Sequence, residues 1–180
     1  GNIPDIDQLL PYTSKISDWV CKYLPELLFI RNVFGKRTWH PPSLKACFVI
    51  DDPHLRKDAY GFLNYRKLVK TLREYNLSTS IAFIPWNYRR TRSSVIQLFK
   101  GNSNRLSLCV HGCDHTDSEF MSTDLDYLTQ KSQTAIWRME KLKERTGLGY
   151  DRMMIFPQGK FSIQGMRALE TVGFEAAVNT

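Results

Sequence analysis

Cysteine is scarce in this 180-residue chain. The four present (Cys21, Cys47, Cys109 and Cys113) are too few for a disulfide-dense scaffold. Cys47 and Cys109 sit inside apolar runs and read as small core residues, so cysteine usage leaves the compartment open. No apolar stretch approaches the roughly 18 residues of a membrane span, and none is expected. No segment reads as a signal peptide, although Gly1 in first position is compatible with removal of an upstream segment. Acid is missing from Trp86 to Arg105, where five basic residues fall (Arg89, Arg90, Arg92, Lys100 and Arg105). Lys and Arg are missing from Asp114 to Asp126, where five acids fall (Asp114, Asp117, Glu119, Asp124 and Asp126). Such stretches usually mark two solvated faces of opposite sign. With a formal net charge of +7, the other reading of the basic one is a groove for an acidic polymer. No recognised nucleic-acid motif accompanies it, so no nucleic-acid partner is expected.

What is present is enough apolar residue, 42% of the chain, for one sizeable core. Five short apolar runs recur, at Ala46–Ile50, Ser80–Ile84, Leu106–Val110, Met153–Phe156 and Ala176–Val178. Each reads as a strand buried on both faces of a parallel sheet. Helical periods separate them. Phe62, Tyr65, Leu68, Val69 and Leu72 share one helix face. Val95, Ile96, Leu98 and Phe99 mark a second helix, closed by Gly101. Leu128, Ala135, Ile136, Met139 and Leu142 mark a third. Thr123 with Asp126 forms an S/T-x-x-D/E start for the third helix, and Gly147 its stop. Ser162 and Gly173 bracket a fourth. Strand–helix alternation predicts an α/β fold with right-handed crossovers. Residues 1 to about 45 lie outside that pattern; their Ser17–Ile30 stretch predicts a helix broken near Pro25, packed on the main domain. A parallel barrel of seven or eight strands needs roughly 200 residues or more, so an incomplete barrel is expected.

Ligands of such folds bind at the carboxyl ends of the strands. The first strand ends in Asp51-Asp52, followed by Pro53-His54. The third runs into C-V-H-G-C-D-H, residues 109 to 115, and the fourth ends in Phe156-Pro157-Gln158-Gly159. Adjacent strand residues point to opposite sides, so Asp51 and Asp52 can do different work. One carboxylate with His111 and His115 supplies three ligands and leaves a fourth position of tetrahedral Zn²⁺ open, as catalytic sites do. A zinc knot of Cys109, His111, Cys113 and His115 is a second reading. It would place Cys109 below the rim, without the longer loop that separates structural ligand pairs. A third reading has no metal, with His111 a satisfied core histidine and His115 on the surface. Asp114 lies where it can accept a hydrogen bond from one histidine and orient it. His54 is either a partner of Asp52 or a loop residue. Trp86 and Tyr88 can stack on a sugar or serve surface roles, and Trp137 reads as packing.

In order and spacing, F-V-I-D-D, H-G-C-D-H and F-P-Q-G-K-F-S resemble the first three motifs of the polysaccharide deacetylases (carbohydrate esterase family four and relatives). The resemblance covers Ala46 to the end. It implies an incomplete (β/α)7-type barrel with parallel strands over residues 46–180, its C-terminal strands missing, beside an N-terminal helical extension over 1–45. It implies Asp52, His111 and His115 as ligands of a divalent metal, and Asp51 as the general base that takes a proton from water on that metal. Zn²⁺ is expected there, with Co²⁺ or Fe²⁺ also suited. Pro157, Gln158 and Gly159 would line the substrate groove. The implied function is a metal-dependent hydrolase removing acetyl groups from an amino-sugar polymer or glycoconjugate, in an extracytoplasmic or cell-envelope setting. Several positions depart from the family pattern. Ile155 stands where an arginine usually orients the base, Gln158 where an aromatic residue commonly follows the proline, and no late histidine precedes Thr180. The alternative is a catalytically inactive, carbohydrate-binding descendant of the same fold.

Overall fold

The apolar runs pair edge to edge as one parallel sheet. The computed structural model of the protein describes residues 16–37 and 48–178, in two units, Gly1–Ala46 and Cys47–Thr180. In the first unit, α1 (Ile16–Phe34) is a single helix with Pro25 inside it, followed by a 3₁₀ turn. The predicted break is not there. Proline deletes one backbone donor but leaves the remaining i→i−4 bonds of a 19-residue helix available.

The second unit begins with β1 (Phe48–Asp51), then a hairpin of β2 (Ala59–Tyr60) and β3 (Leu63–Asn64), then α2 (Tyr65–Glu74). There follow β4 (Thr79–Phe83), α3 (Ser93–Lys100), β5 (Leu106–His111), α4 (Leu125–Thr146), β6 (Met153–Ile155), α5 (Ile163–Val172) and β7 (Ala176–Val178). The large sheet has the order β1–β4–β5–β6–β7, parallel throughout. Each neighbour is the next strand along it, and the sheet curls as half of a (β/α) barrel.

Register assigns the two faces. Ile50, Ile81, Leu108, Val110 and Met154 join the large core, together with Val69, Phe99, Ala135 and Met139 from the helices. The opposite, inner face carries Val49, Ala82, Cys109, Met153 and Ile155 as a separate cluster. Asp51 pairs with Ala82, Ala82 with Cys109, and His111 with Ile155, so Asp51 and His111 belong to this inner face.

The caps largely follow the sequence. Ser162 accepts from the Gly165 N–H at 3.0 Å, and Gly147 and Gly173 end their helices at φ 67° and 80°. Thr123, however, does not cap α4: Asp124 does, accepting from the Tyr127 N–H at 3.0 Å. Phe62 is also not on the core face of α2. It sits at the tip of the β2–β3 hairpin, fully exposed, because Asn64 caps the helix later than the apolar spacing suggests. The Tyr65 hydroxyl donates to the His54 carbonyl at 3.1 Å, and burial pushes its pKa up.

The core prediction follows from Phe99, which is buried and edge-on to Tyr65 at 5.4 Å. Phe99→Ala is expected to cost about 3–5 kcal/mol of unfolding free energy, read by urea denaturation.

Candidate metal centre

β1, β5 and β6 deliver the residues singled out above to one rim of the sheet. Asp51 is the last residue of β1, and Asp52 follows it with φ 72°. That left-handed backbone breaks strand alternation just after the strand. The Nε2 atoms of His111 and His115 lie 3.2 and 3.0 Å from one oxygen of Asp52, Oδ1. That oxygen is buried and makes no hydrogen bond. His111 is 3% exposed and places Nδ1 3.0 Å from the Ile155 carbonyl, which can only accept. In a neutral ring Nδ1 then carries the proton, which leaves the Nε2 lone pair on the side of Asp52, where a cation could sit between them. The donor atoms of Asp52, His111 and His115 all lie within 4.8 Å of one another, and the three residues could hold a divalent cation.

The zinc knot is not formed. Cys109 is buried on the inner face of the sheet, beside Ala82 and Ile155. The Cys113 thiol faces Arg138 Nη1 at 3.2 Å, and burial pushes its pKa up to about 12. Cys113, Asp114 and Glu119 also lie close together, but both carboxylates already have cationic partners. Asp114 accepts from Arg138 Nη1 at 2.6 Å and from Lys131 Nζ at 3.0 Å. Burial works against its charge, yet those two cations hold its pKa below the usual carboxylate range. It orients neither histidine, contrary to the expectation. Glu119 takes Lys131 Nζ at 3.1 Å and the backbone N–H groups of Cys113, Asp114 and His115. Sequence reasoning placed Glu119 on a solvated acidic face, whereas its side chain is fully buried.

The third motif also reaches the rim. Pro157 and Gly159 are buried, while Gln158 is exposed at φ 54° and accepts from the Ser118 N–H at 3.3 Å. Ile155 gives its carbonyl to His111 and buries its side chain on the inner face that also holds Asp51. The Asp51 Oδ1 atom is buried without a hydrogen-bond partner, and no ion pair involves Asp51 among the described residues. Arg152 and Lys160, the cations before and within the third motif, do not supply one. Arg152 donates to the Val172 and Gly173 carbonyls, and Lys160 pairs with Asp117 at 3.0 Å. His54 packs edge-on against Tyr60 at 4.9 Å, as a loop residue.

Three residues of the basic stretch have partners within the chain. Arg105 donates to the Leu72 and Leu77 carbonyls, Arg92 pairs with Asp58, and Arg89 stacks on Tyr88. Trp86 is 55% exposed, with Arg138 over its ring at 5.0 Å. Trp137 is half-exposed rather than packed inside, and meets Tyr88 edge-on.

Gly112 joins the two histidines at φ 61°, and an added Cβ would collide with Glu119 Oε2 and come within 2.6 Å of Pro157 Cγ. Gly112→Ala is expected to lower stability by roughly 1–3 kcal/mol and to weaken metal binding. Thermal melts and elemental analysis of the purified variant check both.

No protein-family model and no curated protein sequence matches the chain. Solved structures do. The Streptococcus pyogenes deacetylase PplD, in complex with acetate, aligns over 87% of this chain and 63% of its own, at 16% identity and TM-score 0.57. A putative polysaccharide deacetylase from Mycobacterium smegmatis aligns over 77% of this chain and 53% of its own, at 16% identity and TM-score 0.54. A CE4 family pseudoenzyme from Bacillus anthracis aligns over 77% of this chain and 44% of its own, at 10% identity and TM-score 0.54. The chain thus spans less than two thirds of each of them. Over that span it has the fold of the carbohydrate esterase family 4 structures.

Proposed function

We propose that the chain carries the metal-holding part of a hydrolase that removes acetyl groups from an amino-sugar polymer or glycoconjugate. The observation that carries this reading is the convergence of three lone-pair donors, from Asp52, His111 and His115, on one point at the rim. Two imidazoles and a carboxylate suit Zn²⁺, with Co²⁺ or Fe²⁺ as alternatives. When bound, such a cation supplies Lewis acidity, which polarises an acyl carbonyl and acidifies water. Asp51 is the general base. Its carboxylate stands next to Asp52, on the face that carries His111, with one oxygen uncommitted. Pro157, Gln158 and Gly159 form the wall against which the sugar lies, and exposed Gln158 offers it polar atoms. The Ile155 carbonyl fixes the tautomer of His111. The fold shared with a structure described as a putative polysaccharide deacetylase supports the substrate class, and an extracytoplasmic or cell-envelope setting is part of the same proposal.

A second reading has its own observation. Asp51 makes no ion pair with a side chain among the described residues, and Ile155 rather than a cationic residue follows Met154 on β6. This suits a non-catalytic, carbohydrate-binding site that keeps the metal trio. One of the structural neighbours is itself described as a pseudoenzyme.

Acetate release from acetylated chito-oligosaccharides by the full-length protein separates the two readings. Asp51→Asn is expected to reduce the rate by about 10²–10⁴-fold at unchanged metal content. Wild type without turnover selects the binding-module reading. In elemental analysis, Asp52→Ala with His111→Ala is expected to lose the metal, and Cys109→Ser with Cys113→Ser to keep it. Loss in the cysteine variant instead would overturn the assignment of the ligands.

A further inference from the structure

We infer that Glu119 is the positioning residue for His115, acting on the ligand through the backbone of the turn between the two histidines. The inference rests on the metal-site reading above and extends it to a residue that touches no ligand side chain. His111 arrives on a strand, which sets its direction. His115 arrives on a turn, in a left-handed conformation (φ 60°) that is uncommon outside glycine although histidine takes it more readily than most residues, after Gly112 at φ 61°. Something outside the turn has to impose that path.

Glu119 is placed to do so. Its Oε2 accepts from the N–H of Cys113 at 3.1 Å and of His115 at 3.2 Å, and its Oε1 from the N–H of Asp114 at 2.7 Å. Three consecutive amides therefore wrap one carboxylate, an arrangement in which the backbone dipoles act together as an anion-binding concavity. The side chain is fully buried, so these amides and Lys131 stand in for the water the carboxylate has lost.

The carbonyl side of the turn is gripped as well. The Cys113 carbonyl accepts from Arg138 Nη1 at 3.0 Å and from the Trp86 N–H at 3.0 Å. Lys131 bridges Glu119 to Asp114, and Arg138 completes the clamp through Asp114. Glu119 itself is anchored by the next residue: Phe120 is buried, is bridged to Phe161, and accepts from the Ser162 N–H. The absent side chain of Gly112 belongs to the same device, since a Cβ there would occupy the place of Glu119 Oε2.

Glu119→Gln is the test, because it keeps the shape and replaces one acceptor oxygen with a donor. The amide then faces at least one of the three N–H groups, or Lys131, with another donor. Co²⁺ titration of metal-stripped protein, followed by visible absorption and calorimetry, is expected to show about 10- to 100-fold weaker binding in Glu119→Gln. Near-UV circular dichroism is expected to be unchanged, and Glu119→Asp to fall between the two. Wild-type hydrogen exchange gives a second readout that needs neither metal nor variant: the amides of residues 113–115 are expected to be protected. Equal Co²⁺ affinity in wild type and Glu119→Gln, or wild-type amides exchanging as in an unstructured peptide, overturns the inference and leaves the metal-site reading standing. A wild type that binds no Co²⁺ overturns both.

Discussion

The central strands β4 and β5 are buried on both faces, which drives polar chemistry to the strand ends, and the rest of this structure follows from that. Large side chains fill the helix side of the sheet, from Ile50 and Ile81 to Met154. On the inner side the strands carry smaller groups, among them Ala82 and Cys109. Neither face accommodates an unpaired charge cheaply. Carboxylates and imidazoles therefore gather where the strands end. Every loop leaving β1, β5 and β6 at that rim must turn sharply enough to point side chains back towards a common centre.

The sharpness shows in the backbone. Of the five non-glycine residues with positive φ among the described residues, Asp52, His115 and Gln158 follow three different strands of the sheet. Such conformations persist only where the surroundings over-determine them. Around His115 the surroundings are a buried ionic network of Glu119, Lys131, Asp114 and Arg138. Its charges satisfy one another and the turn amides at once, which is how a buried ion pair escapes its desolvation cost. Lys131 illustrates the balance: burial would lower its pKa, yet Asp114 and Glu119 raise it.

Ile155 has a double part. Its carbonyl meets Nδ1 of His111, and its side chain adds to the apolar inner face of the sheet. One residue thus orients a candidate ligand and, being apolar, offers no charge to the rim. The geometry is more complete for holding a cation than for moving a proton, and it is the reason two functional readings stand side by side.

The fold was legible in the sequence because burial on both faces leaves a plain mark. Runs such as Leu106–Val110 have no other stable use, and Gly147, Ser162 and Gly173 punctuate the helices between them by local chemistry alone. The grouping of one carboxylate with His111 and His115 was legible too, since strand ends can be counted along the chain; only the family resemblance named Asp52 rather than Asp51. The knot stayed open until the sheet placed Cys109 inside it. Glu119 was hidden. Along the chain it is one acid among five in a run, and only the tertiary structure tells it from its neighbours. Its partners, the turn amides of residues 113–115 and Lys131, come together when α4 packs behind the turn after β5. Spacing and residue type thus marked out side chains that could hold a metal. Which carboxylate braces the turn that carries His115 was decided by packing, because a buried charge takes its meaning from what surrounds it in space.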